Sequence, residues 1–232
     1  MTPQTVLAVG AHIGDMDLAA GPVLAQNVLD GGTSVLVALT PGERGHPRLD
    51  AERYKAQKIA EAEAFADGIG ARVVVFDDLS DGFLPADDAV ADRLAMLVRD
   101  VRPDLMLAHW PRSMHSDHTN ASTLAERARF LAGLPGHRED DRPRHGVARF
   151  LYTENWEDAP SFEADTFVEI SPEAQARWTD AISGQAFARG ETYGFRYIDY
   201  YAAQMVTRGC LAGVPHAVAF SSGDLPTLRR LP

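Results

Sequence analysis

The sequence predicts an α/β fold with three layers, αβα, built around a mostly parallel central sheet. Short, continuous apolar runs alternate with longer segments whose apolar residues recur at helical spacing, in the order β-α-β-α-β-α-β. The apolar runs carry no polar face, which is typical of parallel strands that are covered on both sides. Right-handed crossovers between such strands place the helices on both faces of the sheet.

The predicted strands and helices of the first half are recognised by the residues at their ends. The first apolar run passes into a helical pattern that begins at Asp15, a residue type that favours helix starts, and ends before Gly31. Pro103 stops the last helix of this half, because proline disfavours helix in the residue before it. In order, the predicted strands cover 5–10, 33–39, 71–76 and 104–109, and the predicted helices cover 15–29, 49–69 and 87–101.

The second half has a less regular pattern. Ser171 and Pro172 mark a helix start, since serine caps the first turn and proline fits its first position. Charged residues with proline and glycine at 135–146 predict a mobile loop. The remaining predictions are a helix at 119–134, strands at 150–153 and 167–170, a helix from 171 to about 183, and helical character near 197–206.

The length and composition indicate one folded domain. A chain of 232 residues suits a single sizeable α/β domain, and its 45% hydrophobic and 24% charged residues are ordinary for a soluble globular protein. We expect residues 1–232 to form this domain, with a looser C-terminal tail at 190–232. The first residues and the apolar run after them are too short for a signal peptide or a membrane span, so we expect a cytoplasmic protein.

Two polar stretches follow the first and fourth strands. The first contains His12, Asp15 and Asp17, and the second contains His115 and His118. In the Rossmann-like strand order 3-2-1-4, strands one and four are neighbours at the switch point where ligands bind. We therefore expect the two stretches to lie close together.

These residues suit a metal site. A catalytic zinc site takes three protein ligands and leaves a position for water, and His12, Asp15 and His118 would supply such a set. Histidines at strand ends are also common as ordinary polar residues, so the residues alone leave both interpretations open. Cys210 is the only cysteine, which excludes a cysteine-based zinc site.

Composition and motifs narrow the class of molecule that the protein is expected to bind. A formal net charge of -11 argues against nucleic-acid binding, which depends on clustered basic residues, and favours a small-molecule substrate. The chain lacks the glycine-rich dinucleotide motif after strand one, a P-loop and the nucleophile-elbow motif of serine hydrolases. A nucleotide-binding protein then rests on fold analogy alone. The oligomeric state, homo-oligomers included, stays open.

The two polar stretches resemble the motifs of the LmbE/PIG-L-like N-deacetylases. Ala11 to Asp15 is similar to the Ala-His-Pro-Asp-Asp motif of that family, and His115 to His118 is similar to its His-Pro-Asp-His motif. The likeness extends to about Gln185 and continues through Thr40 to Gly45, Arg53, Asp81-Gly82 and the junction from Phe167 to Ser171.

The resemblance implies an LmbE-like fold and a zinc-dependent hydrolase, or one using another divalent ion, that removes an acyl group from an amine. The substrate it implies is an N-acetylated amino sugar or its conjugate. By matching position, the metal ligands are His12, Asp15 and His118. His115 is the protonated partner of the reaction, Asp117 orients a neighbouring histidine, and Arg53 contacts the substrate.

One position departs from the family pattern. The carboxylate that serves as general base in the family is Gly14 here, and the proline before it is Ile13. Losing a positioned base costs about 10²- to 10⁴-fold in rate. Three interpretations follow: Asp17 or, better placed, Glu43 supplies the base; the activated water reacts unaided; or the protein binds metal and ligand with altered or lost turnover.

Overall fold

The computed structural model describes residues 3–138, 142–158 and 161–223. Seven strands and seven α-helices are found in this part of the chain. The strands are β1 (Thr5–His12), β2 (Thr33–Thr40), β3 (Arg72–Val75), β4 (Leu105–His109), β5 (Arg149–Thr153), β6 (Thr166–Glu169) and β7 (Ala217–Ser221). The helices are α1 (Asp15–Ala19), α2 (Gly21–Leu29), α3 (Ala51–Ile69), α4 (Asp88–Val101), α5 (Ser116–Gly133), α6 (Pro172–Ile182) and α7 (Tyr197–Ala212), with a short 3₁₀ turn at Trp156–Asp158.

The strands form one mixed, mostly parallel sheet in the order β3-β2-β1-β4-β5-β7-β6. The pairings from β3 to β5 are parallel, whereas β7 lies antiparallel to both β5 and β6. The predicted α/β class and the predicted order 3-2-1-4 are confirmed. Strands β1 and β4 are direct neighbours, so the segments that follow them start from the same edge.

The absence of a polar face on β1 has a direct structural reason. Alternate residues point to opposite sides of a strand, and both sides of β1 are covered. Val6 and Ala8 pack in a cluster with α2 and α6, while Leu7 and Val9 pack in a second cluster with α4 and α5. All four side chains are fully buried.

The predicted helices begin and end close to their observed bounds. Asp50 and Ser171 cap α3 and α6 by accepting hydrogen bonds from backbone N–H groups three residues later. The helix predicted from Asp15 is two helices, α1 and α2, separated at Ala20. None of the helices in the described residues combines the length and the hydropathy that a bilayer crossing requires.

The C-terminal segment contains more regular structure than the pattern indicates. The region predicted as a looser tail holds the sixteen-residue helix α7 and the buried strand β7, which inserts between β5 and β6. The alanine-rich run of β7 carries a weak strand signal, because alanine is depleted in strands. Residues 224–232 of that tail, and 139–141 of the loop predicted at 135–146, lie outside the described residues. A single domain over 1–232 stays a prediction.

Candidate active site

The ends of β1 and β4 bring four histidines together. His12 is the last residue of β1 and His109 is the last residue of β4. His115 is the N-cap of α5, and His118 lies in its first turn. The ring centroid of His12 is 4.8 Å from that of His115 and 5.3 Å from that of His118. The two polar stretches therefore meet, as the strand order implies.

Three side chains form a candidate metal centre. Asp15 Oδ2 lies 3.3 Å from His12 Nδ1 and 3.5 Å from His118 Nε2. One ligand atom from each of these residues lies within 4.8 Å of the other two. The backbone N–H of His12 donates to Asp15 Oδ2 at 2.8 Å, which fixes the carboxylate at the start of α1. Two imidazoles and one carboxylate are a donor set that fits a zinc ion.

The protonation states of two of these residues, Asp15 and His118, suit ligation. Burial, with His109 close by, lowers the pKa of His118 to about 2, so the ring is neutral and has a free lone pair. Burial raises the pKa of Asp15, but the neighbouring rings of His118 and His12 outweigh it and hold the pKa of this carboxyl well below its usual range. Metal ligands must be deprotonated, and both residues meet that condition.

Two carboxylates face the other nitrogen of His12. Its Nε2 lies 3.1 Å from Asp81 Oδ1 and 3.3 Å from Asp117 Oδ2. Burial lowers the pKa of His12, but Asp15 and Asp117 more than reverse that effect and its pKa stands well above the usual value. Carboxylates on the far nitrogen of a ligating histidine fix its tautomer and orientation. Asp117 also accepts from the backbone N–H of Gly82 at 2.7 Å.

We expect the substitution Asp117→Asn to lower zinc affinity about 10- to 100-fold, since that is the usual cost of losing a partner of a metal-bound histidine. Competition with a chelating dye would measure the affinity. Asp78→Asn is the matched control, because Asp78 is an exposed residue that pairs with Arg93. Equal zinc affinities in the two variants would contradict the assignment of Asp117 to His12.

His115 lies beside His12, with 4.8 Å between the two ring centroids. Its Nδ1 accepts the backbone N–H of Asp117 at 3.2 Å, so the proton of the neutral ring is on Nε2. The residue lines the same cavity as the three candidate ligands. A histidine held in one tautomer beside a metal centre can give a proton to a reacting group.

His109 is a site residue that the sequence pattern marks only as the end of a strand. Its Nε2 lies 3.1 Å from Asp15 Oδ2, and its ring stacks on that of His118 with centroids 4.1 Å apart. The side chain is 1% exposed. Its position at the carboxyl end of β4, beside the strand end that carries His12, is the signal that could have identified it.

Three predicted residues lie outside the cavity. Glu43 is buried and accepts hydrogen bonds from Ser80 Oγ at 2.7 Å and from the backbone N–H of Asp81 at 3.2 Å, so it holds the loop after β3. Arg53 has a side chain that is 78% exposed on the first turn of α3. Asp17 is buried in α1, and burial raises its pKa to about 6. The geometry therefore does not support Glu43 or Asp17 as a base, or Arg53 as a substrate contact.

A cavity of about 290 Å³ opens onto the candidate ligands. One part of its wall is polar and includes Asp81, His115 and Lys58. The other part is aromatic and comes from residues after β5, of which Trp156 stacks on Phe195 with ring centroids 4.7 Å apart. The aromatic residues that line the cavity are Trp156, Phe187, Tyr193 and Tyr197.

Gly14 occupies a position where a side chain would be strained and would overlap Phe187. Its φ angle is +107°, a backbone conformation that side chains rarely adopt. A Cβ atom built there would lie 2.3 Å from Cζ of Phe187. The ring of Phe187 thus stands where a carboxylate at position 14 would stand. The small residue at position 14 and the position of the Phe187 ring are therefore matched to each other.

Comparison with known proteins identifies the region that carries these motifs. The profile of the family described as PIG-L, GlcNAc-PI de-N-acetylase, matches residues 7–129, which is more than half of the chain. This range contains the candidate ligands, His115 and His109. Phe187 and the aromatic wall of the cavity lie beyond it.

Individual relatives have two kinds of activity. The chain is 29% identical to a 4-oxalmesaconate hydratase of Pseudomonas putida over 179 residues, covering 73% of this chain and 69% of the relative. It is 24% identical to a 1D-myo-inositol 2-acetamido-2-deoxy-alpha-D-glucopyranoside deacetylase of Kribbella flavida over 186 residues, covering 65% and 61%. The crystal structure of the Pseudomonas putida 4-carboxy-2-hydroxymuconate hydratase GalB matches with a TM-score of 0.85 and 25% identity, covering 98% of this chain and 99% of that one.

Proposed function

Because this chain belongs to the PIG-L family of GlcNAc-PI de-N-acetylases, we propose that it is a metal-dependent hydrolase that removes an acyl group from an amine. The substrate class that we propose is a small N-acetylated amino sugar or its conjugate. One observation carries this proposal: His12, Asp15 and His118 converge on one side of a cavity whose wall also includes His115. The aromatic wall suits the apolar face of a sugar ring.

The metal that we propose is zinc, with His12 Nδ1, Asp15 Oδ2 and His118 Nε2 as the residues that would hold it. A zinc ion there would polarise the scissile carbonyl and lower the pKa of a water molecule to about 7. Asp81 and Asp117 keep His12 in the ligating tautomer from the far side. On the other side of the second ring, Ser113 Oγ and Asn155 Nδ2 each lie 3.4 Å from His118 Nδ1.

His115 is the proton donor in this proposal. Its Nε2–H is available because Nδ1 is engaged by the backbone N–H of Asp117. Water adds to the acyl carbon and the carbon–nitrogen bond breaks. Both protons of that water end on the amine nitrogen, one of them passed through His115, which finishes in the protonation state in which it began. The products are a carboxylate and an ammonium group, so atoms and charges balance. Phe187 keeps position 14 free of a carboxylate, so the chemistry runs without a base at that point.

Hydration of a carbon–carbon double bond is the second candidate function. The 29% identity to a hydratase and the match to the GalB structure favour it. Adding water to a conjugated acid also requires an activated water and a proton donor. The proposed metal ligands and His115 would serve these two purposes in the cavity. A protein with altered or lost turnover, which would bind metal and ligand alone, is the third outcome.

A two-arm assay separates these functions. One arm measures amine release from a panel of N-acetylated amino sugars, and the other measures loss of ultraviolet absorbance of 4-carboxy-2-hydroxymuconate. We expect turnover in the first arm and a fall of about 10²- to 10⁴-fold in His115→Gln, which removes the proton donor. His137→Gln is the control, because His137 lies in the loop after α5 and pairs with Asp92 of α4. Turnover in the second arm alone would replace hydrolysis with hydration, and zinc binding without turnover in either arm would leave a binding protein.

A further inference from the structure

One buried cation of the cavity has no part in the chemistry described so far. Lys58 lies on α3 with 5% of its surface exposed, and it lines the same cavity as the proposed metal ligands. Its Nζ donates a hydrogen bond to the carbonyl oxygen of Ile13 at 2.5 Å. An ammonium group has three donors. In the part of the chain that the structure describes, Ile13 is the one acceptor that Lys58 reaches, so two donors are available to a ligand.

Phe187 holds this ammonium group in place without neutralising it. Lys58 Nζ lies 4.0 Å from the centroid of the Phe187 ring, a cation–π contact. A Cβ atom at Gly42 would lie 3.2 Å from Cβ of His12 and 3.6 Å from Cε of Lys58, so these two side chains approach the same point. The Lys58 side chain therefore lies against the Phe187 ring and close to the side chain of His12.

The charge of Lys58 has no dedicated counter-ion in the described part of the chain. Burial lowers the pKa of the ammonium group, and four carboxylates oppose that change from a distance, those of Asp15, Asp17, Glu61 and Asp81. None of the ion pairs among the described residues includes Lys58. A buried charge without a partner is costly unless something binds it. A negatively charged group in the cavity would supply the missing partner.

We propose that Lys58 is the anion anchor of the cavity, which binds the carboxylate product of amide hydrolysis and the acyl oxygen from which it forms. This inference rests on the proposed function and deepens it, because it orients the substrate. The acyl end lies against Lys58 and Phe187. The amine-bearing part lies against Trp156 and Tyr193, on the aromatic side of the cavity.

The chain offers a direct spectroscopic test, because Lys55 and Lys58 are its only lysines. Protein grown with side-chain ¹⁵N-labelled lysine gives two ammonium signals, and Lys55→Met and Lys58→Met assign them. Sodium acetate is then titrated into the zinc-loaded protein. We expect a saturable shift of the Lys58 signal and no shift of the Lys55 signal. Lys55 is a suitable internal reference, since it lies one turn earlier on α3 and donates to the carbonyl oxygen of Asp77.

Acetate affinity in the variants gives the second readout. Loss of a charge-assisted hydrogen bond predicts binding about 10- to 100-fold weaker in Lys58→Met, unchanged in Lys55→Met and partly retained in Lys58→Arg. Zinc content and the urea midpoint of each variant show whether the site and the fold are intact. If Lys58→Met does not fold, the titration of the unsubstituted protein decides. Equal acetate affinity in Lys58→Met, or an immobile Lys58 signal, would overturn the anchor.

The two proposals fail in different ways. Acetate binding that depends on Lys58, in a protein that releases no amine from the substrate panel, would keep the anchor and remove the hydrolase. Amine release with acetate binding that ignores Lys58 would keep the hydrolase and remove the anchor. The acetate titration needs no turnover, so each result can be read without the other.

Discussion

The substitution His118→Ala is expected to remove the bound zinc and to lower activity by at least about 10³-fold. His118 supplies one of the three proposed ligand atoms, and His12 and Asp15 supply the other two. Two ligands hold a zinc ion far more weakly than three. Without the ion, its stabilisation of transition-state charge, several kcal/mol, is lost, and each 1.36 kcal/mol is a factor of ten in rate. Metal analysis of the purified variant and the amine-release assay measure the two effects.

A second group of possible metal ligands makes the metal analysis more informative. His12, Asp81 and His115 also present one ligand atom each within 4.8 Å of one another. If the ion is held by that set, Asp81→Asn will lose zinc and His118→Ala will keep it. The proposed centre requires the opposite ranking. The histidine control is His137→Ala, whose residue lies outside both sets and should retain full zinc content and activity.

The substitution Gly14→Asp is expected to destabilise the protein without raising its activity, although it restores the residue type found in related enzymes. A side chain at φ +107° costs roughly 1 to 3 kcal/mol. Overlap with Phe187, whose Cζ lies 2.3 Å from the new Cβ, adds a further 1 to 3 kcal/mol or so. The free energy of unfolding from urea titration should therefore fall by roughly 2 to 6 kcal/mol.

A matched glycine separates the two contributions. Gly213 has φ +75° and no atom within 4 Å of the point that a Cβ would occupy, so Gly213→Asp carries backbone strain without overlap. The difference between the two variants reports the contact with Phe187. In a Phe187→Ala background the overlap is absent, so Gly14→Asp should cost less stability relative to Phe187→Ala than it costs relative to the unsubstituted protein. Wild-type stability together with faster turnover in Gly14→Asp would mean that Phe187 does not occupy this space.

The meeting of the two polar stretches could be predicted because it follows from chain topology. Parallel strands joined by right-handed crossovers place β1 beside β4, and the residues after them must then share one edge. His12, Asp15, His115 and His118 needed no further information. His109 could have been added by the same argument, because it ends β4 as His12 ends β1.

Two predicted site residues, Glu43 and Arg53, lie outside the cavity because of contacts that no local sequence pattern encodes. Glu43 follows a strand at the correct edge, but Ser80 and the backbone of Asp81 hold its carboxylate away from the cavity. Arg53 lies on the exposed side of the first turn of α3, while Lys58 on the same helix faces the cavity. Phe187 decides what position 14 can hold, and its place is set by the packing of the C-terminal half.

The order of strands also bears on how the protein is completed during synthesis. β6 is tied to the sheet through β7, which lies between β5 and β6 although it is made last. The proposed ligand residues are all synthesised before β5. The sheet that supports the aromatic wall, however, lacks its pairing between β5 and β6 until β7 has been synthesised as far as Ser221. A nascent chain halted before β7 would thus hold the proposed metal ligands in a sheet whose β5 edge is unpaired. Exposed strand edges of this kind favour chaperone binding or aggregation.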